Sequence, residues 1–176
     1  MIEGFPPIAP GNARLLILGT MPSVKSLEAA FYYAHPRNAF WPMMAEILGE
    51  ALPEDAPGRS ALLCRHGIAL WDVLRRCQRE GSLDSAIRDE EPNDFSGLYA
   101  RCPGIRRVLF NGAEARRLYL KFVNRLPEGC DSLRMPSTSP AYTLSFAQKR
   151  AAWAAGMEGF YGDQSSGDPA KEALRR

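Results

Sequence analysis

The chain has 176 residues, 45% apolar and 24% charged, with a net charge of +2. That length supports a domain with a sizeable core, and that balance is ordinary for a globular protein. No apolar run approaches the roughly 20 residues needed to cross a bilayer, and Met1-Ile2-Glu3-Gly4-Phe5-Pro6-Pro7 has neither the basic start nor the apolar centre of a signal peptide. These features predict a cytoplasmic protein with no membrane contact. The small positive excess permits a nucleic-acid partner without requiring one. Cys64, Cys77, Cys102 and Cys130 are too far apart in sequence to suggest a zinc or iron–sulfur clamp.

Residues 1–13 contain Pro6, Pro7, Pro10 and Gly11 and read as an extended lead-in. Arg14-Leu15-Leu16-Ile17-Leu18 is a short continuous apolar run ending at Gly19, the pattern of a strand buried on both faces of a parallel sheet. Gly19-Thr20-Met21-Pro22-Ser23 then forms a loop at a strand's carboxyl end, where open α/β sheets place ligands. Gly19 permits close approach to the backbone, and Ser23 can cap the turn from Lys25 to Ala30.

Tyr32-Tyr33-Ala34-His35-Pro36-Arg37-Asn38-Ala39-Phe40-Trp41 is the most unusual stretch. Pro36 excludes a regular helix and biases His35 toward extended angles. The stretch reads as a rigid loop in which Asn38 caps the helix that follows. It is either a loop stapled to the core by its aromatics or a pocket with stacking faces and polar donors at its edge.

Phe40, Met43, Met44, Ile47 and Leu48 recur at helical spacing up to Gly49. A helix is predicted from Arg59 to His66. Gly67 to Leu74 is a second apolar run, expected to begin as a strand and end as a helical turn around Asp72. Arg75, Arg76 and Arg79 read as a solvated face, and Ser82 as a cap on a short helix. Asp89 to Phe95 is polar, with Pro92-Asn93-Asp94 as a turn or cap, and a helix follows from Phe95 to about Pro103.

Arg106-Arg107-Val108-Leu109-Phe110 is a third strand, ending at Asn111-Gly112 and followed by a helix from Ala113 to Phe122. Asn111 is either a pocket amide or a turn stabiliser. Leu133 to Pro136 is a short fourth strand. It leads into the stiff polar loop Ser137-Thr138-Ser139-Pro140-Ala141-Tyr142-Thr143, and the last helix is predicted from Ser145 to Phe160. Four buried strands alternating with helices predict a three-layer α/β/α sandwich around a four-stranded, mainly parallel sheet, occupying residues 1–161 as one domain. Residues 162–176 are rich in Gly, Ser and charge and are expected to be disordered.

Taken together, Gly19-Thr20-Met21-Pro22-Ser23, Ala34-His35-Pro36-Arg37-Asn38-Ala39-Phe40-Trp41 and Ser137-Thr138-Ser139-Pro140-Ala141 resemble the uracil-DNA glycosylase superfamily. The resemblance covers about residues 14–160 and fits best the hypoxanthine-DNA (deoxyinosine) glycosylase branch, related to the mismatch-specific uracil/thymine enzymes. In most of the superfamily, the residue two after the first-loop glycine is an Asp or Asn that directs the attacking water. Here it is Met21, whose thioether cannot orient water in that way.

The resemblance implies that Asn38 takes over the catalytic role and that Tyr33 stacks on a flipped base. Gly19, Thr20, Met21, His35, Phe40 and Asn111 would complete the base pocket, with His35 either donating to the leaving group or making a structural hydrogen bond. Pro22, Ser23, Ser137, Thr138, Ser139, Pro140, Ala141 and Tyr142 would contact DNA, with Tyr142 and Leu144 as candidate wedges. The expected activity is monofunctional hydrolysis of the N-glycosidic bond of a deaminated base, foremost hypoxanthine, by a monomer acting on damaged DNA. No metal or organic cofactor is called for. Alternatives are a uracil or G-mismatched pyrimidine glycosylase, an inactive damaged-DNA binding module, and a nucleosidase acting on free nucleosides.

Overall fold

Leu15–Gly19 forms a strand, β2, in which every residue is buried. Such a strand needs neighbours on both edges and layers on both faces, and it has both. In the computed structural model, which describes residues 1–162, β2 pairs in parallel with β3 (Ile68–Asp72) on one side and β6 (Arg107–Asn111) on the other. β7 (Asp131–Met135) adds to β6, giving the parallel order β3-β2-β6-β7. Helices flank this sheet as an α/β/α arrangement. Among them, α3 (Ala56–Arg65) packs on β3, α5 (Ala113–Phe122) on β6 and β7, and α6 (Phe146–Met157) on β7 and on α2 (Phe40–Leu48).

The helix termini follow from local chemistry. Ser23 caps α1 (Val24–Ala29) by accepting from the Ser26 N–H, and Asp55 caps α3 through Gly58. Ser145 and Gln148 form a reciprocal capping box at the start of α6. Gly49 ends α2 at φ 68°, a conformation glycine adopts without steric cost. Phe40, Trp41, Met43 and Met44 are wholly buried, so the methionines are core residues.

Several expectations are corrected. Asp72 is not in a helical turn: β3 runs through it and, after Val73, the chain enters a second strand, β4 (Leu74–Gln78). β4 is the centre of a separate antiparallel sheet, β1-β4-β5, with β1 at Ile2–Glu3 and β5 at Arg88–Pro92. The lead-in and the polar stretch before Phe95 therefore both contain strand, fixed by pairing with distant residues and not by local pattern. Arg75 and Arg76 reach Glu91 across this sheet at 2.7 Å. Ser82 does not cap the 3-10 turn Asp84–Ala86; its hydroxyl accepts from the Val24 N–H at 2.9 Å. Of the tail expected over 162–176, all but Gly162 lies outside the described residues. Among the described residues no helix is long and apolar enough to cross a membrane.

Candidate base-binding site

β2 continues to β3 on one side, whereas β6 lies on its other side. The carboxyl ends of β2 and β6 therefore flank the point where the strand order reverses, where open α/β sheets form a crevice. A cavity of about 560 Å³ lies there. It is lined by the 19–23 loop, by Tyr33, His35 and Asn38, by Asn111, and by Ser137, Thr138, Ser139, Pro140, Ala141 and Tyr142. Phe40 is the expected pocket residue that does not line it. Phe40 is fully buried one layer back, its ring centroid 4.3 Å from that of Tyr33, so it supports the stacking candidate from behind.

The loops are tied to one another by specific bonds. The Ala39 N–H donates to the Thr138 carbonyl at 3.0 Å, joining the aromatic loop to the polar loop. The Asn111 amide holds Thr138 twice: its Nδ2 donates to Thr138 Oγ1 at 3.0 Å, and its Oδ1 accepts from the Thr138 N–H at 2.9 Å. Asn111 is thus both cavity wall and loop clamp, with one N–H and one lone pair left over. The ammonium of Lys149, a buried residue, donates to the Ser139 carbonyl at 2.9 Å. Burial lowers the pKa of that ammonium. The Ala34 N–H donates to Ser26 Oγ at 3.2 Å, and Trp41 Nε1 donates to the Tyr32 carbonyl at 2.7 Å.

Asn38 is half-buried, and its Oδ1 accepts from the Phe40 N–H at 2.9 Å. Asn38 is not the N-cap expected from the sequence: that position is Ala39, and Asn38, one residue earlier, meets the first N–H of α2 in a bond that fixes the plane of the amide. One lone pair of Oδ1 and both amide hydrogens remain available. His35 Nδ1 accepts from the Arg37 N–H at 3.0 Å. An accepting Nδ1 carries no proton, so the ring bears its proton on Nε2 and keeps one donor.

Tyr33 sits at φ 51°. Left-handed backbone costs an aromatic residue about 1–3 kcal/mol and persists only where surroundings impose it. Here the turn brings the Tyr33 hydroxyl to the end of β2: a Cβ built at Gly19 would lie 2.6 Å from Tyr33 Oη and would collide with Asp72 Oδ1. Gly19 is needed because two side chains crowd its α-carbon. The main-chain N–H groups of Thr20 and Met21 have no acceptor among the described residues. Met21 is only 8% exposed and is at once cavity wall and core. Tyr142, which lines the cavity, is exposed, and so are Leu144 and Phe146 beyond it in the chain.

The cavity also holds Lys25, Ser26, Tyr32, Asp72, Ser82, Leu83 and Asp84, none of which was expected. Asp72 ends β3 directly opposite Gly19. The strand-end logic that selected Gly19 and Asn111 would have selected it too, had the run been read as strand throughout. Burial, and then the nearby Asp84, push its carboxyl up to about 7, while Arg79 acts in the opposite direction. The Asp84 carboxyl is itself raised, first by burial, and accepts from Thr20 Oγ1 at 3.5 Å. Asn93 anchors the corner behind Asp72, its Nδ2 donating to the Asp72 carbonyl at 2.8 Å and the Leu74 carbonyl at 3.1 Å.

Comparison with known proteins agrees with this geometry. The model of the uracil DNA glycosylase superfamily matches residues 5–156. A hypoxanthine DNA glycosylase of Methanosarcina barkeri is 37% identical over 153 residues, covering 86% of this chain and 95% of the relative. A protein of the same name from Methanosarcina acetivorans is 37% identical over 154 residues, covering 87% of this chain and 96% of its own. The solution NMR structure of a provisionally named uracil DNA glycosylase from Methanosarcina acetivorans superposes with a TM-score of 0.73 at 36% identity, covering 87% of this chain and 94% of that one. With this match over most of its length, and with its cavity at the carboxyl ends of the parallel strands, the chain belongs to the uracil DNA glycosylase superfamily.

Proposed function

We propose that the protein is a monofunctional DNA glycosylase that flips a deaminated base, foremost hypoxanthine from deoxyinosine, into the cavity and hydrolyses its N-glycosidic bond. The observation that carries this reading is the position of Asn38: its amide lines the same cavity as Met21, which stands where the family's usual water-directing residue would be. The relatives named hypoxanthine DNA glycosylase support the choice of base.

The chemistry follows from the groups present. A base that leaves the duplex loses its stacking neighbours, and the Tyr33 ring, backed by Phe40, replaces one of them; such a stack is worth about 1–3 kcal/mol. The bond from C1′ to the base nitrogen breaks with both electrons leaving on the base. Water then forms the C1′–O bond and loses a proton, and the base gains one. Asn38 is not basic, so it cannot take the water's proton in the ground state. Its free Oδ1 lone pair orients the water and its dipole favours the cationic sugar, while the Phe40 N–H holds the amide in place. The unpaired N–H groups of Thr20 and Met21 and the Nε2 proton of His35 offer donors for the base. On the DNA side, the loop from Ser137 to Tyr142 contacts phosphates, and Tyr142 and Leu144 fill the gap left by the flipped nucleotide. The protein acts as a monomer.

The test is a duplex containing one deoxyinosine, assayed for an abasic site. Wild-type protein is expected to produce it, and Asn38→Ala to slow it by about 10²–10³-fold. An Asn38→Ala variant as active as wild type would remove Asn38 from the chemistry. Parallel duplexes with uracil or a G·T mismatch fix the substrate, and faster excision of either pyrimidine would overturn the choice of hypoxanthine.

A further inference from the structure

Asp72 is 3% exposed, at the floor of the cavity, and its Oδ2 has no hydrogen-bond partner among the described residues. Its other oxygen presses against Gly19. A buried carboxyl without donors is unfavourable as an anion, because nothing replaces the water it gave up. Its surroundings do not supply that compensation. Asp84 lines the same cavity and adds like charge. Arg79, the cation acting on Asp72, donates its Nε to the Gly81 carbonyl at 2.8 Å and its Nη2 to the Pro22 carbonyl at 2.5 Å, and its buried Nη1 has no partner among the described residues, so it makes no hydrogen bond to Asp72. Tyr33 and Tyr32 approach as hydroxyls, and Lys25, His35 and Tyr142 complete the ionisable lining.

The proposed reaction places an electron pair on the departing base within this same cavity. An anionic Asp72 would repel that charge in a site of low dielectric, whereas a neutral one can donate to it. We propose, on the reading of the protein as a glycosylase, that Asp72 in its carboxylic-acid form is the leaving-group donor, giving its O–H to a ring nitrogen or carbonyl oxygen of the departing base. The bookkeeping is closed: the base takes the Asp72 proton with the electron pair from C1′, and the proton lost by the attacking water restores the acid. Burial first, and then repulsion from Asp84, keeps Asp72 neutral.

The experiment is single-turnover excision of deoxyinosine from a duplex between pH 5.5 and 9, with wild type, Asp72→Asn and Asp72→Ala, each checked for folding by thermal unfolding. The wild-type rate is expected to fall about tenfold per pH step of one above about pH 7. Asp72→Asn can hydrogen-bond the base but has no proton to transfer and cannot ionise, so it should lose about 10²-fold at low pH and show no alkaline fall. Asp72→Ala should lose about 10²–10³-fold at every pH. An independent measurement needs no variant: the carboxyl carbon of Asp72, followed by NMR in the wild-type protein, should titrate near 7 and move higher when free hypoxanthine is added. A flat wild-type profile, an alkaline fall kept by Asp72→Asn, or Asp72 titrating below about 5 would each overturn the inference while the glycosylase reading stands. A wild-type protein that leaves deoxyinosine untouched overturns both.

Discussion

The two ends of the parallel sheet treat aspartate in opposite ways. At the amino end, Asp131 opens β7 and receives Arg107 in a two-bond fork, both distances 2.8 Å. Arg107 also donates to the Gly156 carbonyl and lies over the Phe160 ring. The Asp131 carboxyl is held below its usual range, first by the hydrogen bond from Arg107. At the carboxyl end, Asp72 closes β3 with an unpartnered oxygen and another acid for a neighbour, and its carboxyl is raised. A structural aspartate is given a partner. One left buried without a partner lines the cavity, where a ligand could reach it.

This contrast can be broken by experiment. The largest effect is expected from Asp72 on stability against pH. Its folded value, about 7, lies above the unfolded value of 3.8, so the native state holds the proton more tightly. Stability from this group is fully present below pH about 4 and is lost as pH rises through about 7. Chemical denaturation should show the Asp72→Asn variant gaining on wild type by about 3–4 kcal/mol between pH 4 and 8. A difference constant across that range would show that Asp72 is charged and satisfied after all.

Gly19→Ala sharpens the comparison from the other partner. The new methyl must displace Asp72 or the Tyr33 hydroxyl, shifting the cavity floor. Single-turnover kinetics should show excision falling about 10²-fold, and denaturation a loss of about 1–3 kcal/mol. The smallest effect is expected at the paired end: Asp131→Asn removes an ion pair whose acid is more than half exposed, so stability should drop by no more than about 1 kcal/mol, with excision unchanged.

Much of the site was legible in the chain before any coordinates. Gly19 and Asn111 each follow a short apolar run, and the family resemblance carried by the 19–23, 34–41 and 137–141 segments agrees with the superfamily match over residues 5–156. Phe40 could not be placed by pattern: an aromatic next to a polar loop can face a ligand or support the ring that does, and only packing chooses the second. Asp72 was obscured because Trp71-Asp72-Val73-Leu74 fits a helical turn as well as a strand. Trp71 and Asp72 pair with β2, and β4, which starts at Leu74, pairs with Ile2–Glu3 and with β5, so distant pairing overrode the local preference.

By itself the sequence determined the parallel four-stranded core, since continuous apolar runs bounded by turn residues can be satisfied only inside a layered sheet, and it determined which loops end at the site. Tertiary structure alone decided the electrostatics of the cavity. The charge state of Asp72 depends on burial and on Asp84 arriving from a separate segment, and the geometry of Asn111 depends on Thr138, 27 residues away. Periodicity encodes which face a side chain takes along one element; it carries no information about which distant group will stand beside it, and that proximity is what sets a pKa.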